Sequence, residues 1–263
     1  MNATGTERSS AAPTVRPRVQ SVARAAAILR AVAASDGGLT APAIARAVGL
    51  SRPTTYHLLH TLQHEGLLAR NGDREYRLGL GVGMLAQRFG RQLAPPDALL
   101  PYLHALAART GETTYVCTWT DAGAVLLATT PGHHAVTVGT GQVGLLEYTH
   151  ARAAGRVLLA QLPPETRGAF LDRHPMEPRT PRTIVDPDEF ERELERVRAQ
   201  GYALDREEFS VGVCCIAAAI DTGATPFALS LSAPRDRFEE REDEYLEAIL
   251  SLAAAAGRGT PPG

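Results

Sequence analysis

The sequence contains no lysine; arginine supplies all 27 basic side chains. That absence reads as biased codon usage in a GC-rich genome and carries no function of its own. Cysteine is almost as scarce. Cys117, Cys214 and Cys215 form no metal-spaced pair, which excludes a zinc scaffold, and an odd, sparse set fits a reducing cytoplasm. No run approaches the ~20 apolar residues that a membrane span needs, and residues 1–18 lack the apolar segment of a signal peptide. They read as a disordered arm in which Arg16 and Arg18 could touch phosphate. There is no internal repeat. The GxG at Gly139–Gly141 has no helix or βαβ unit after it, so it is no nucleotide fingerprint. His133-His134 lacks an acidic partner at ligand spacing, and the cysteines lack a neighbouring base. No metal or cofactor is expected, nor a catalytic residue.

What is present begins with a charge asymmetry. Through Arg91 there are 12 arginines and 5 acidic residues, a balance of +7; from Gln92 onward 15 arginines face 24 acidic residues, a balance of −9. Only the first third is therefore suited to a polyanion. At 263 residues the chain can hold two modest domains.

The strongest local pattern lies at 39–67, LTAPAIARAVGLSRPTTYHLLHTLQHEGL. Thr40 is a good N-cap for a short helix to about Val48. Gly49 supplies a turn and Leu50 plugs the angle. Ser51 caps a second helix, Arg52 to about Glu65, with Pro53 in its first turn. Leu58, Leu59 and Leu62 give that helix a buried face, opposite Arg52, Thr54, Thr55, Tyr56, His57 and His60. This is a helix-turn-helix, whose second helix enters the DNA major groove tip first. Arginine can read guanine, and Thr or Tyr can hold phosphate. Tyr56 has an inward-packed alternative. Before it, Val19–Ala34 is a helix with Val22, Ala26, Leu29 and Ala33 toward the core and Arg24 and Arg30 off that face. After it, Leu68–Arg70 and Glu75–Leu78 flank the turn signal Asn71-Gly72-Asp73, which predicts a wing hairpin with Arg70, Arg74 and Arg77 as its cations. The expected DNA-binding set is Arg24, Ser51, Arg52, Thr54, Thr55, Tyr56, His57 and Arg74.

Leu80–Leu93 is a helical run with Val82, Leu85 and Phe89 in register, broken by Ala94-Pro95-Pro96. It reads as a linker helix whose stripe could also serve a dimer contact. Beyond it, a helix capped by Asp97 precedes a hairpin of Thr113–Thr120 and Ala124–Thr130, a short strand at Ala135–Gly139, helices at 151–162, 164–173 and 188–200, strands at Tyr202–Asp205, Val211–Ile220 and Pro226–Ser232, and a closing helix at 236–256. The fold class is α+β: an N-terminal winged helix-turn-helix, a linker helix and a C-terminal α/β sandwich. The boundaries read 1–18 arm, 19–79 head, 80–95 linker, 96–257 second domain and 258–263 tail.

Several segments in this order resemble the IclR (isocitrate lyase regulator) family of bacterial transcription factors. They are SVARAAAIL, GLSRPTTYHLLHTLQHEGLL, the wing followed by YRLG, THARAAGRVLLAQLP, GYALDREEFSVGVCCIAAAI and FALSLSAP. The resemblance implies a GAF-like effector domain, and dimers or dimers of dimers on palindromic operators in the cytoplasm, with no membrane partner. It implies a small organic-acid effector held by backbone N–H groups of Ala153 and Ala154, by Asp205, by Val213 and Cys215, and by hydroxyl donation from Ser230 and Ser232. It makes the chain a regulator, most simply a repressor, rather than an enzyme. Three positions depart from the family pattern: Arg152 stands for a small residue, Ala153 for Gly or Ser, and Arg156 for Lys. Arg152 either pairs with an anionic effector or lies outside the pocket. The rival reading is a small-molecule enzyme with an accessory winged-helix interaction domain, for which the sequence offers no triad or cofactor motif.

Overall fold

A computed structural model describes residues 19–262 except 94, 140, 142 and 224; for Arg91 it describes the backbone alone. The expected arm at 1–18 lies outside the described residues. The chain divides into two compact units, one ending at Phe89 and one starting at Gly90, so the division falls inside the expected linker helix.

In the first unit, α1 (Gln20–Ala33), α2 (Ala41–Ala47) and α3 (Arg52–His64) pack on a three-stranded sheet of β1 (Leu39–Thr40), β2 (Leu68–Arg70) and β3 (Glu75–Leu78), in the order β1-β3-β2. Ile28, Val32, Ile44, Leu59, Leu62, Leu68 and Tyr76 form its core. The core face of α1 is thus shifted from the expected one: Ile28 and Val32 are buried, whereas Val22 and Ala33 are exposed. Alanine-rich helices carry weak directional signal, and the larger Ile and Val side chains win the interior. Thr40 occupies the N-cap of α2 without a side-chain cap, and its backbone pairs with Glu75 in the sheet. Gly49 adopts φ +64°, the left-handed turn that lets α3 leave α2 at an angle. Ser51 does cap α3, its hydroxyl accepting from the Thr54 N–H at 3.4 Å. The unit's last element, α4 (Leu80–Gln92), runs across the division.

The second unit is a six-stranded antiparallel sheet, order β6-β5-β4-β9-β8-β7. Its strands are β4 (Thr113–Thr120), β5 (Gly123–Thr130), β6 (Gly144–Leu145), β7 (Tyr202–Arg206), β8 (Val213–Ile220) and β9 (Phe227–Pro234). One face packs on α5 (Leu100–Thr110) and α9 (Arg235–Arg258); the other on α6 (Ala153–Ala160) and α8 (Pro187–Gln200), with α7 (Pro164–Leu171) beside them. Helices on both faces explain why β8 and β9 are apolar nearly throughout.

Three expectations change. Ala135–Gly139 is not a strand; the edge strand is β6, too short at two residues to stand out in sequence. Asp97 opens a single 3₁₀ turn and the α-helix begins at Leu100, since Pro101 is accommodated in the first turn of α5. The C-terminal helix continues through Arg258, and the backbone after it is held where Tyr102 Oη donates to the Thr260 carbonyl at 2.7 Å.

The two faces of this sheet differ in side-chain size, and that difference creates a cavity. Toward α5 and α9 stand Val116, Ile216, Ile220, Leu229 and Leu231, which fill the space. Toward α6 stand Cys117, Cys215, Ala217, Ala228, Ser230 and Ser232, which do not.

Candidate functional site

Two sites emerge, one in each unit. The first is the tip of α3. Arg52, Tyr56 and His57 project to solvent, Tyr56 at 53% exposure, so the inward alternative for that ring does not hold. Ser51 is exposed and Thr54 is half-buried, and their hydroxyls bond each other at 2.8 Å. Thr55 is the correction. It is 0% exposed, and its Oγ1 donates to the Ser51 carbonyl at 2.9 Å. Thr55 therefore seals the helix start against the core, and its helical neighbour Leu59 is buried beneath it. A polar side chain in a polar run does not announce that it faces inward.

The wing forms as expected. Arg74 takes φ +61° at the hairpin turn and is exposed at its tip. Arg70 lies 5.8 Å over the Tyr76 ring, and Arg77 Nε donates to the Gly37 carbonyl at 2.9 Å, so Arg77 is occupied locally. Arg24 is exposed on α1. The exposed cations Arg24, Arg52, Arg70 and Arg74 carry no carboxylate within 4.0 Å among the described residues.

The second site is the cavity above the small-residue face of the sheet, about 650 Å³. Its floor is Tyr115 and Cys117 on β4, Cys215 on β8 and Ser230 and Ser232 on β9, brought together by the antiparallel register that sets Ser232 beside both Thr113 and Cys215. Ala153 and Ala154, at the start of α6, form one wall with Arg152, and Leu126, Val138, Leu146, Phe209 and Val213 are among the other lining residues. Six of the seven expected effector residues thus line one cavity: Ala153, Ala154, Val213, Cys215, Ser230 and Ser232.

The start of α6 is built by Gly155. A Cβ there would lie 1.9 Å from the Thr149 carbonyl, so only glycine lets the 149–151 turn fold onto the helix. His150 fastens that turn, with Nε2 3.0 Å from the Glu177 carbonyl, and burial lowers its pKa. No side chain caps α6, so its first N–H groups are left for the cavity.

Asp205 is the seventh residue and does not line the cavity. It is 1% exposed, and its Oδ1 accepts from the N–H groups of Glu208 (2.8 Å) and Phe209 (3.3 Å). It shapes the turn that presents Phe209. Burial, and then the Glu208 carboxylate, raise its pKa to about 7. Because the folded value lies above the unfolded one, the stability tied to Asp205 is full below about pH 4 and is lost as pH rises toward 7. Asp205→Asn keeps the Oδ1 acceptor and cannot ionise. Urea unfolding at pH 4.5 and 7.5 should show the variant gaining on the wild type at the higher pH. An unchanged difference would place the proton elsewhere.

Hydroxyl donation also needs revision. Ser230 Oγ donates to the Ile216 carbonyl at 2.9 Å, so its proton is spent inside the sheet and only its lone pairs face outward. Ser232 Oγ lies 2.9 Å from Cys215 Sγ. Burial raises the pKa of the Tyr115 phenol to about 12 and of the Cys117 thiol to about 12, so both stay protonated and neutral. Sequence reasoning missed Tyr115, Cys117 and Phe209. An alternating strand signals which residues share a face, but not which face has been left unfilled.

Comparison with known proteins follows the same division. Residues 21–72 match the model of the IclR helix-turn-helix domain, and residues 97–257 match that of the bacterial transcriptional regulator IclR C-terminal domain. The HTH-type transcriptional regulator Rv1719 of Mycobacterium tuberculosis is 34% identical over 236 residues, 89% of each chain. The transcriptional repressor IclR of Escherichia coli is 30% identical over 242 residues, covering 90% of this chain and 88% of that one. The solved structure of Thermotoga maritima IclR superposes with a TM-score of 0.64 at 25% identity, covering 92% of this chain and 98% of that chain. These relatives are regulators, which removes the enzyme alternative. The chain belongs to the IclR family of bacterial transcriptional regulators.

Proposed function

We propose that this regulator represses transcription by binding a palindromic operator as a dimer, or dimer of dimers, and that a small organic acid in the sheet cavity changes its operator affinity. The observation that supports the effector half is the cavity itself: about 650 Å³, walled by an uncapped helix N-terminus, which suits a carboxylate. The exposed tip residues Ser51, Arg52, Thr54, Tyr56 and His57, with Arg74 on the wing and Arg24 on α1, are the proposed DNA contacts. Two half-sites about one helical turn apart would fit such heads. No helix among the described residues is long and apolar enough to cross a membrane, and we place the protein in the cytoplasm with its DNA.

The dimer proposal has its own support. Leu80, Met84, Leu85 and Phe89 are largely exposed along α4, Leu80 at 91%, and Leu85 and Phe89, one turn apart, form an apolar stripe. A soluble helix with such a stripe needs an apolar partner, and a second copy supplies it. Light scattering of the purified protein should give a dimer or tetramer mass. Met84→Glu with Phe89→Glu should shift it toward monomer and reduce operator retention in a mobility-shift assay. In the same assay a carboxylic acid that raises the melting temperature should change retention of the wild type. If neither mass nor retention responds, this reading fails.

A further inference from the structure

Buried arginines in the second unit come with partners. Arg156 pairs with Glu208 and with Glu193 at 3.5 Å, Arg167 with Glu191 at 2.5 Å, and the partly buried Arg237 with Glu112. Arg152 is different. It lines the cavity and is the one cation among the described lining residues. Its Nε donates to the Glu147 carbonyl at 2.9 Å, and its Cζ lies 3.4 Å from the centroid of the Phe209 ring. These contacts fix the guanidinium plane. Its two terminal amino groups have no acceptor among the described residues, and no carboxylate lies within 4.0 Å. Glu147, also on the lining, is exposed and contributes its backbone. Arg152 is half-buried, and burial lowers its pKa.

Open guanidinium donors at a cavity wall suit an anion. Pairing one face of a guanidinium with a ring leaves its edge free, and that edge fits a carboxylate in two parallel hydrogen bonds. The first N–H groups of α6, from Ala153 and Ala154, begin at the very next residue and favour the same charge. The rest of the lining, including Leu126, Leu146, Val213 and the neutral Tyr115 phenol, suits an apolar body and not a second charge.

We infer that Arg152 is the specificity-determining residue of this regulator: its terminal amino groups take the carboxylate of a monocarboxylic acid with an apolar, ring-sized body, and Phe209 is the platform that holds the guanidinium in place. This rests on the reading of the cavity as the effector site. Asp205 then acts as a positioning residue, since its carboxylate holds the turn that carries Phe209. A side-chain fork discriminates the acid from its amide, whereas backbone N–H groups alone accept either carbonyl oxygen.

The test uses the full chain with benzoate, phenylacetate and hexanoate, each against its own amide, by thermal shift and calorimetry. The wild type should bind at least one acid saturably and its amide far more weakly. Arg152→Gln should weaken that acid roughly 30-fold and erase the preference over the amide. Arg152→Lys should retain the preference for charge with reduced affinity, because a point charge cannot match the fork. Val213→Trp fills the cavity and should abolish binding. If Arg152→Gln binds the acid as tightly as wild type while Val213→Trp does not, the Arg152 assignment is overturned and the cavity stands. If Val213→Trp also binds like wild type, the cavity reading itself is wrong. A wild type with no preference for acid over amide overturns the inference directly.

Discussion

Arg156→Met is expected to destabilise the second unit by about 3–5 kcal/mol, the usual cost of removing one partner from a buried ion pair. Arg156 is 1% exposed at the centre of a charged cluster. Its guanidinium donates to Glu208, to the Leu204 carbonyl at 2.6 Å and to Glu193 at 3.5 Å. Without it the Glu208 carboxylate and the neighbouring buried Asp205 lose the cation they share, and methionine offers nothing in return. Unfolding in urea should show the loss in full at pH 7.5 and less of it at pH 4.5, where the protonated Asp205 carboxyl no longer needs the charge. A variant as stable as wild type would mean that the cluster is solvated. Arg156→Lys has a different expected outcome, near neutral. The Arg156 Nε is buried without a hydrogen-bond partner, a cost that an ammonium with three donors avoids. The family resemblance places lysine at this position. In a chain with no lysine, arginine keeps the charge and strands one N–H.

Arg52→Ala is expected to weaken operator binding by roughly 10- to 100-fold, the range of one bidentate base contact, without lowering the melting temperature. Arg52 is exposed at the first position of α3 and bonded to no acid among the described residues, so the fold does not depend on it. Thr55→Val provides the contrast. Thr55 is fully buried three residues on, so this change should alter stability through the lost bond to Ser51 and leave the affinity of the folded protein nearly unchanged. Titration of operator DNA at fixed salt separates the two, since phosphate contacts alone change steeply with ionic strength. Unchanged affinity for Arg52→Ala would remove that residue from the reading surface.

The helix-turn-helix was legible because each of its signals is local. Ser51 at a cap, Gly49 at a left-handed turn and Leu59 and Leu62 on one face act within a few residues, and all are observed in those roles. The wing was legible for the same reason. The core face of α1 was not, because six alanines in fourteen residues leave the pattern flat until packing against Ile44 and Tyr76 selects Ile28 and Val32.

The cavity divides in the same way. Residue identity and resemblance were enough to nominate Ala153, Ala154, Val213, Cys215, Ser230 and Ser232. Alternation along β9 already put the two serines on one face. Direction was not available. Whether Ser230 donates into the cavity or into the sheet depends on a carbonyl 14 residues away, and whether Arg152 lies inside or outside depends on a ring more than 50 residues away; Asp205 is spent within its own turn, which spacing alone did not show.

By itself, then, the amino-acid order determined the elements with local punctuation, the confinement of positive charge to the head and the family. Tertiary structure alone decided which polar side chains are spent. Thr55 and Ser230 satisfy backbone carbonyls in the interior, Asp205 satisfies two N–H groups, and Arg156 is surrounded by acids. The terminal amino groups of Arg152 meet no acceptor among the described residues. The reason is that a hydrogen bond is a property of a pair: a sequence names the donors and acceptors, and only the packed chain sets which of them meet.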